Sequence, residues 1–270
     1  MIDSRIDNRA NNRVNNRVNN RANNRVENNT LGSEAGIRTE QIILRSRDVN
    51  MYRRLRTSRL FEILQETSIR HTEELGAGRK VTLDRGLLWV VTLQCARIER
   101  MPEFDEEITV QTWPGDTMHV LFPRYYKILD QEGNVLVRAS AIWMLVDSHT
   151  RKCVSPDEYG IQIQGISTGD EIGLPTPPRG VEIEESFDFE VPFRYVDLNG
   201  HMNNTSYFDL VEDRILIPTK EQRVTSICTE YSAELCYKDQ ARIGWSKQDH
   251  RLYVCGTGEK NYFKMSMEYE

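Results

Sequence analysis

Apolar residues recur along this chain at two spacings, and the two spacings alternate in the same order twice. Thr39–Arg47 reads as a strand. Leu60, Ile63, Leu64, Thr67 and His71 then share one face of a helix expected from Thr57 to about Leu75. Thr57 or Ser58 is its expected N-cap, and Gly76-Ala77-Gly78 ends it. Four strand-like runs follow at about 87–100, 106–113, 119–130 and 134–147, the last two joined by a turn over Asp130–Asn134. The second round opens with Phe187, Phe189, Val191 and Phe193 alternating with Asp188, Glu190 and Pro192, a strand with one apolar face. A helix is expected from about Asn204 to Ile215, with Tyr207, Leu210, Val211 and Ile215 inward and Pro218 as its stop. Strands are expected at about 224–235, 240–247, 251–257 and 261–268.

The doubling extends to the residues themselves. Leu44-Arg45-Ser46-Arg47-Asp48-Val49-Asn50-Met51-Tyr52, then Leu60–Leu64, parallels Phe193-Arg194-Tyr195-Val196-Asp197-Leu198-Asn199-Gly200-His201, then Tyr207–Val211. The offset is 149 at the aspartates (197 − 48) and 147 in the apolar blocks (207 − 60), which implies a two-residue indel and sets His201 against Tyr52. Only the second copy has the histidine, so one working site and one retired site are expected. A strand, one long helix and a strand meander, repeated, describe an α+β double hotdog: two tandem units, each a helix against a curved antiparallel sheet. A ferredoxin-like pair would need two helices per unit. The expected divisions are a disordered Asn/Arg-rich tail at 1–36, a first hotdog at 37–152, a linker at 153–185 with Pro156, Pro175, Pro177 and Pro178, and a second hotdog at 186–270.

Charge and composition narrow the partners. Net charge is 35 − 41 = −6 with both signs mixed, which argues against nucleic acid. No apolar run reaches the roughly 20 residues of a membrane span, and no secretory segment is seen, so a cytoplasmic location is expected. Five widely spaced cysteines (Cys95, Cys153, Cys228, Cys236, Cys255) have no metal-ligand spacing and suit free thiols in a reducing compartment. No metal or cofactor is called for. The tail repeats Asn-Asn-Arg-Val or Asn-Asn-Arg-Ala over residues 5–29; a helix there would stack like charges at i, i+4.

Two segments carry candidate chemistry. Asp197, Asn199 and His201 alternate between a strand end and a helix start. An extended backbone would put all three on one side, with Asn203 and Asn204 at a helix N-terminus whose free N–H groups favour developing negative charge. The bland alternative is that Asp197 and Asn199 cap a turn. The second segment, Tyr231-Ser232-Ala233-Glu234-Leu235-Cys236, reads as strand; Glu234 flanked by apolar residues there would be desolvated and suited to general-base work. Its bland alternative is a solvent-facing glutamate.

Val196–Tyr207 resembles the D-x-N-x-H-x-N-N-x-x-Y motif of plant and bacterial acyl-ACP thioesterases, and Tyr231–Glu234 resembles the start of their Y-x-x-E-C motif. Leu64-Gln65-Glu66 with His71, Trp89-Val90, Thr112-Trp113-Pro114, Arg124 and Ala141-Ile142-Trp143 followed by Asp147 resemble their first domain, so the likeness runs over about 40–268. The resemblance implies hydrolysis of a fatty acyl thioester on acyl carrier protein, with Asp197, Asn199, His201 and Glu234 as the catalytic set. Glu234 or Asp197 would activate water, His201 would assist proton transfer, and Asn199 with helix-start amides would hold the carbonyl oxygen. The family cysteine position is Leu235 here; Cys236 is one residue on and would face the other way on a strand, which favours water over a thiolate. Arg45, Arg47, Arg53, Arg54, Arg56 and Arg59 form a basic stretch that could steer an acidic carrier protein. The first half would bind the acyl chain, with Trp89, Trp113 and Trp143 either lining a tunnel or forming plain core. A homodimer is left open. Competing functions are acyl-CoA hydrolysis, a hotdog hydratase or dehydratase, and a non-catalytic acyl-thioester sensor.

Overall fold

The computed structural model describes residues 30–31, 36–170 and 172–270; the Asn/Arg repeat of the tail lies outside them. The first half contains β1 (Thr30–Leu31), β2 (Arg38–Ile43), α1 (Thr57–Glu74), α2 (Arg79–Asp84), β3 (Leu87–Ile98), β4 (Glu107–Pro114), β5 (Leu121–Leu129) and β6 (Val135–Asp147). The second contains β7 (Glu185–Glu190), α3 (Ser206–Arg214), β8 (Val224–Tyr231), β9 (Gln240–Gln248), β10 (Arg251–Thr257) and β11 (Asn261–Tyr269). All the strands join one antiparallel sheet in the order β1-β2-β4-β5-β6-β3-β8-β11-β10-β9-β7. Read from each outer edge inward, β2-β4-β5-β6-β3 and β7-β9-β10-β11-β8 follow the same path. The fold is therefore an α+β double hotdog, its halves joined where β3 pairs with β8 from Leu93↔Glu230 to Arg97↔Ser226.

The helical spacing explains where α1 sits. Leu60, Phe61, Ile63, Leu64, Thr67 and His71 are all buried, and each of the large apolar side chains contributes about 1.5–3 kcal/mol by leaving water. Helix α3 packs beside α1, with Phe61 and Phe208 stacked at 4.3 Å between ring centroids. Thr57 meets Glu212 in the same contact, so the two helices run antiparallel.

Several expectations are corrected. The N-cap of α1 is Arg56, in extended backbone and without a side-chain cap bond. The hydroxyl of Thr57, already inside the helix, donates to the Glu212 carboxylate, as does its backbone N–H, and the Ser58 hydroxyl donates to Asp209. The other half of the protein thus supplies the acidic cap that α1 lacks in its own sequence. Helix α3 begins at Ser206 and ends at Arg214, before Pro218. Phe193 is not inward: β7 stops at Glu190, Pro192 cannot extend the ladder, and Phe193 is 77% exposed. Strand β8 stops at Tyr231 because the amides of Ser232 and Ala233 both turn to the Tyr262 carbonyl, at 2.8 and 3.1 Å. Glu234 therefore lies beyond the strand. Cys95 and Cys228 face each other across β3 and β8 and are bonded as a disulfide, so not all five cysteines are free; Cys153, Cys236 and Cys255 are.

The internal repeat also changes register. Asp197 N–H donates to His201 O at 2.8 Å, and Asn50 N–H donates to Arg54 O at 2.8 Å. Asp197 Oδ1 accepts from Asn199 N–H (2.8 Å) and His201 N–H (3.3 Å), while Asn50 Oδ1 accepts from Tyr52 N–H (3.0 Å) and Arg54 N–H (3.3 Å). Gly200 and Arg53 both have positive φ, 83° and 67°. Bridges Val196↔Met202 and Val49↔Leu55 close the two turns. The offset is thus 147 throughout (197 − 50 = 147; 201 − 54 = 147). There is no indel: Asp197 matches Asn50, Asn199 matches Tyr52, and His201 matches Arg54.

Candidate active site

The Asp197–His201 turn is held by its own backbone and by the segment after β8. Asp197 spends one carboxylate oxygen, Oδ1, on two turn amides, so the bland reading of Asp197 as a turn cap is correct for that oxygen; its Oδ2 accepts from the Asn199 side-chain amide at 3.4 Å. With Gly200 left-handed, the backbone is a tight turn rather than the extended run expected. Met202 N–H donates to Leu235 O at 2.7 Å and His201 bridges Cys236, which stitches the turn to the Ala233–Cys236 segment. This stitch brings His201 Nε2 to 3.5 Å from Glu234 Oε2. Glu234 is 39% exposed, so the desolvation expected of a strand position is absent. Both its oxygens are instead held by Arg151 of the first half; the Nε arm reaches Oε2 at 3.0 Å.

The His201 ring is 23% exposed. Burial first, and then the Arg151 guanidinium, lower its pKa below the usual 6.5, against the opposing pull of Asp197 and Asp239. The lowering favours the neutral imidazole, the form able to take a proton. Cys236 is exposed, and its thiol is pushed up by partial burial and by Asp239, the opposite of an activated thiolate.

A cavity of about 300 Å³ opens beside the turn. Asp197, Leu198, Asn199, Asn203 and Asn204 line it from the second half. From the first half come α1 (Gln65, Ser68, Ile69, Thr72), the aromatic wall of Trp89, Phe122 and Trp143, and the α2 residues Arg79, Thr82 and Leu83. Of the three tryptophans singled out, Trp89 and Trp143 line the cavity, whereas Trp113 is buried against Tyr125. Of the four predicted site residues, Asp197 and Asn199 line the cavity; His201 and Glu234 pair with each other but are not among its lining residues, and the turn backbone and its stitch to the Ala233–Cys236 segment connect them to it. The helix-start amides are only partly free: Thr205 N–H bonds Asn203 Oδ1 at 2.9 Å and Ser206 N–H bonds Asn203 O at 2.9 Å. Sequence reasoning missed Arg151. The half-buried Tyr231 hydroxyl donates to Asn204 O (2.8 Å) and accepts from Gln94 (2.7 Å), tying the cavity-lining Asn204 to β3.

Among the described residues no group of acidic, histidine or cysteine side chains has metal-site geometry, and no helix is long and apolar enough to cross a membrane.

A tandem hotdog with a histidine-bearing turn in its second copy alone defines a class of asymmetric, two-unit hotdog proteins. The chain belongs to the acyl-ACP thioesterase family: the family's N-terminal domain matches residues 37–160 and its C-terminal domain residues 180–260. It is 26% identical over 226 residues to a chloroplastic acyl-[acyl-carrier-protein] hydrolase of Cuphea viscosissima, covering 73% of this chain and 51% of that protein. The chain thus spans about half the length of the curated relatives it matches. Its fold is similar to that of an acyl-ACP thioesterase from Bacteroides thetaiotaomicron (TM-score 0.76, 20% identity, 87% of this chain and 98% of that one). It is also similar to the 12:0-ACP thioesterase from Umbellularia californica (TM-score 0.72, 19% identity, 88% and 99%).

Proposed function

We propose that this protein hydrolyses the thioester of a fatty acyl group carried on acyl carrier protein, releasing the free fatty acid and the carrier thiol. The observation that carries the reading is the His201 imidazole 3.5 Å from Glu234, on a turn whose Asp197, Leu198 and Asn199 line an aromatic-walled cavity. In this mechanism Asp197 holds the turn, and Asn199 donates its amide to the carbonyl oxygen as charge develops there. Between the two carboxylates expected to activate water, Asp197 is bound by backbone amides and Glu234 by Arg151. The base is therefore His201, with Glu234 orienting its ring. Water's proton passes to the imidazole, hydroxide bonds the carbonyl carbon, the C–S bond breaks, and the proton goes to the leaving sulfur. The first half acts as the chain-binding half, through Ile69, Leu88, Trp89, Phe122 and Trp143.

The carrier protein is the proposed partner, with fatty acid biosynthesis as the setting and the cytoplasm as the location. There, a bridge such as Cys95–Cys228 is open to reduction. Several arginines of the basic stretch are engaged within the fold. Arg54 donates to the carbonyls of Gln222 and Lys220, Arg59 to Asp48 at 2.8 Å, and Arg56 to Val49 O at 3.1 Å. Arg45 and Arg47, 61% and 78% exposed, remain open for docking, so steering is expected to be modest. A homodimer that extended the sheet through β7 would meet Glu185, Asp188 and Glu190, which oppose strand pairing; sedimentation tests for a dimer. The deciding assay is thiol release from matched panels of acyl-ACP and acyl-CoA. Faster turnover of acyl-ACP is expected. Preference for CoA would give the acyl-CoA reading, and hydration or dehydration without thiol release would remove hydrolysis altogether.

A further inference from the structure

Arg151 belongs to no strand or helix and to the half without the histidine, yet it reaches the reacting pair. It sits in the turn that follows β6, where Asp147 Oδ1 accepts from Thr150 N–H at 2.7 Å and His149 N–H at 3.1 Å, and Arg151 N–H returns to Asp147 O at 2.9 Å. That turn holds Arg151 at φ +58°, a left-handed conformation that a long side chain rarely adopts. The side chain then spans 83 residues of sequence to grip both oxygens of Glu234, with Nε at 3.0 Å from Oε2. Oε2 is the same oxygen that stands 3.5 Å from His201 Nε2. Exposed ion pairs add little stability, so stability does not account for the grip.

We propose that Arg151 is a positioning residue of the hydrolytic site, supplied by the opposite half, which fixes the Glu234 carboxylate as the oriented partner of the His201 imidazole. This rests on the hydrolase reading above. Without Arg151, a carboxylate as open as Glu234 has several rotamers, and only some of them face the ring. A planar guanidinium binding both oxygens selects one of them. It also neutralises Glu234, so the carboxylate orients the ring without becoming the base itself. The charged groups around the ring are Glu234 and Arg151, with Asp197 on its own turn and Asp239 beyond Cys236. Among them Arg151 is the cation that opposes protonation of His201. Removing it should make the ring easier to protonate while letting its partner drift. The first half is then more than a chain-binding shell, because the site is incomplete without its last turn.

The test uses the full chain with Arg151→Gln and Arg151→Lys, a saturated acyl-ACP as substrate, and NMR titration of the labelled His201 ring assigned through His201→Gln. Arg151→Gln is expected to lower kcat by about 10²-fold, the scale of losing an oriented acid–base group, with KM little changed. The acid limb of the kcat/KM profile should move to higher pH. Added guanidinium ion should restore part of the rate, and Arg151→Lys should keep the charge but lose the two-pronged hold, giving an intermediate rate. The His201 titration should move upward in Arg151→Gln whether or not the substrate is the right one. An upward titration in a protein that is inactive on every thioester would uphold the Arg151 role and sink the hydrolase reading. An unmoved titration, or a wild-type rate and pH profile in Arg151→Gln, would overturn the proposal.

Discussion

Replacing Glu212 by glutamine should make the protein more stable at pH 8 and leave it nearly unchanged at pH 5. Burial first, and then Asp209 and Asp213, push the Glu212 carboxyl from its usual 4.5 to about 7, against the hydrogen bonds it accepts from Thr57. A carboxyl that is harder to ionise folded than unfolded stabilises the fold fully below about 4.5, and that stabilisation is lost as pH rises through about 7. A shift from 4.5 to about 7, at 1.36 kcal/mol per unit, puts the loss on the order of 3 kcal/mol. Glutamine can still accept from Thr57 through its carbonyl oxygen but never ionises. The difference between the two proteins should therefore open between pH 5 and pH 8. For a chain of this size it should reach about 5–10 °C in Tm, read by thermal melts at matched ionic strength. Parallel Tm-against-pH curves for the two proteins would refute the assignment and would mean that ionised Glu212 caps α1 at no cost.

Four further measurements bear on the site. His201→Ala and Glu234→Ala should each lower kcat by about 10²-fold or more, while Cys236→Ala should keep most of the wild-type rate; strong inactivation by Cys236→Ala alone would bring back a thiolate mechanism. Because burial and Arg151 hold His201 below 6.5, kcat/KM should fall only on acidification below that value, and a limb above it would mean that another group is the base. Raising salt should raise KM for acyl-ACP modestly, in line with the few arginines left open; a steep dependence would point to a docking surface elsewhere.

Much of the fold was legible because periodicity reports burial directly. The stripe Leu60, Ile63, Leu64, Thr67 and His71 faces the sheet as its spacing requires, and the meander strands begin and end within a few residues of the expected bounds. The failures share one cause: partners distant in sequence and backbone hydrogen bonds, neither of which local side-chain pattern records. Phe193 kept the alternation, but Pro192 had already ended the ladder. Glu234 kept it too, but the Tyr262 carbonyl had drawn off the amides of Ser232 and Ala233. The cap of α1 was sought next to α1, whereas it comes from Glu212, 155 residues away. Arg151 carried no local signal at all, since its role depends on a left-handed turn and on a partner 83 residues distant. The bridge between Cys95 and Cys228 was hidden in the same way, because it depends on the β3–β8 register.

The repeat shows how matching by residue identity can mislead where matching by backbone does not. Asp48 and Asp197 look equivalent, yet the oxygen that does Asp197's work in the first half belongs to Asn50. An amide oxygen and a carboxylate oxygen accept the same two backbone N–H groups, so selection for the turn alone tolerates either. Once the halves are aligned by these bonds, Arg54 occupies the place of His201 and Tyr52 that of Asn199. The bond from Leu55 N–H to Pro102 O matches that from Met202 N–H to Leu235 O, which sets Met101 in the place of Glu234. The first half therefore has no counterpart of His201, Asn199 or Glu234. Its Arg54 instead ties the turn to the loop after α3 through the carbonyls of Lys220 and Gln222. The cavity beside that turn is about 360 Å³, no smaller than the one beside Asp197 and Asn199. Loss of chemistry in the first copy thus did not require loss of the pocket. What differs beside it are three side chains, Arg54 for His201, Tyr52 for Asn199 and Met101 for Glu234, and the Arg54 guanidinium braces the turn against the loop after α3.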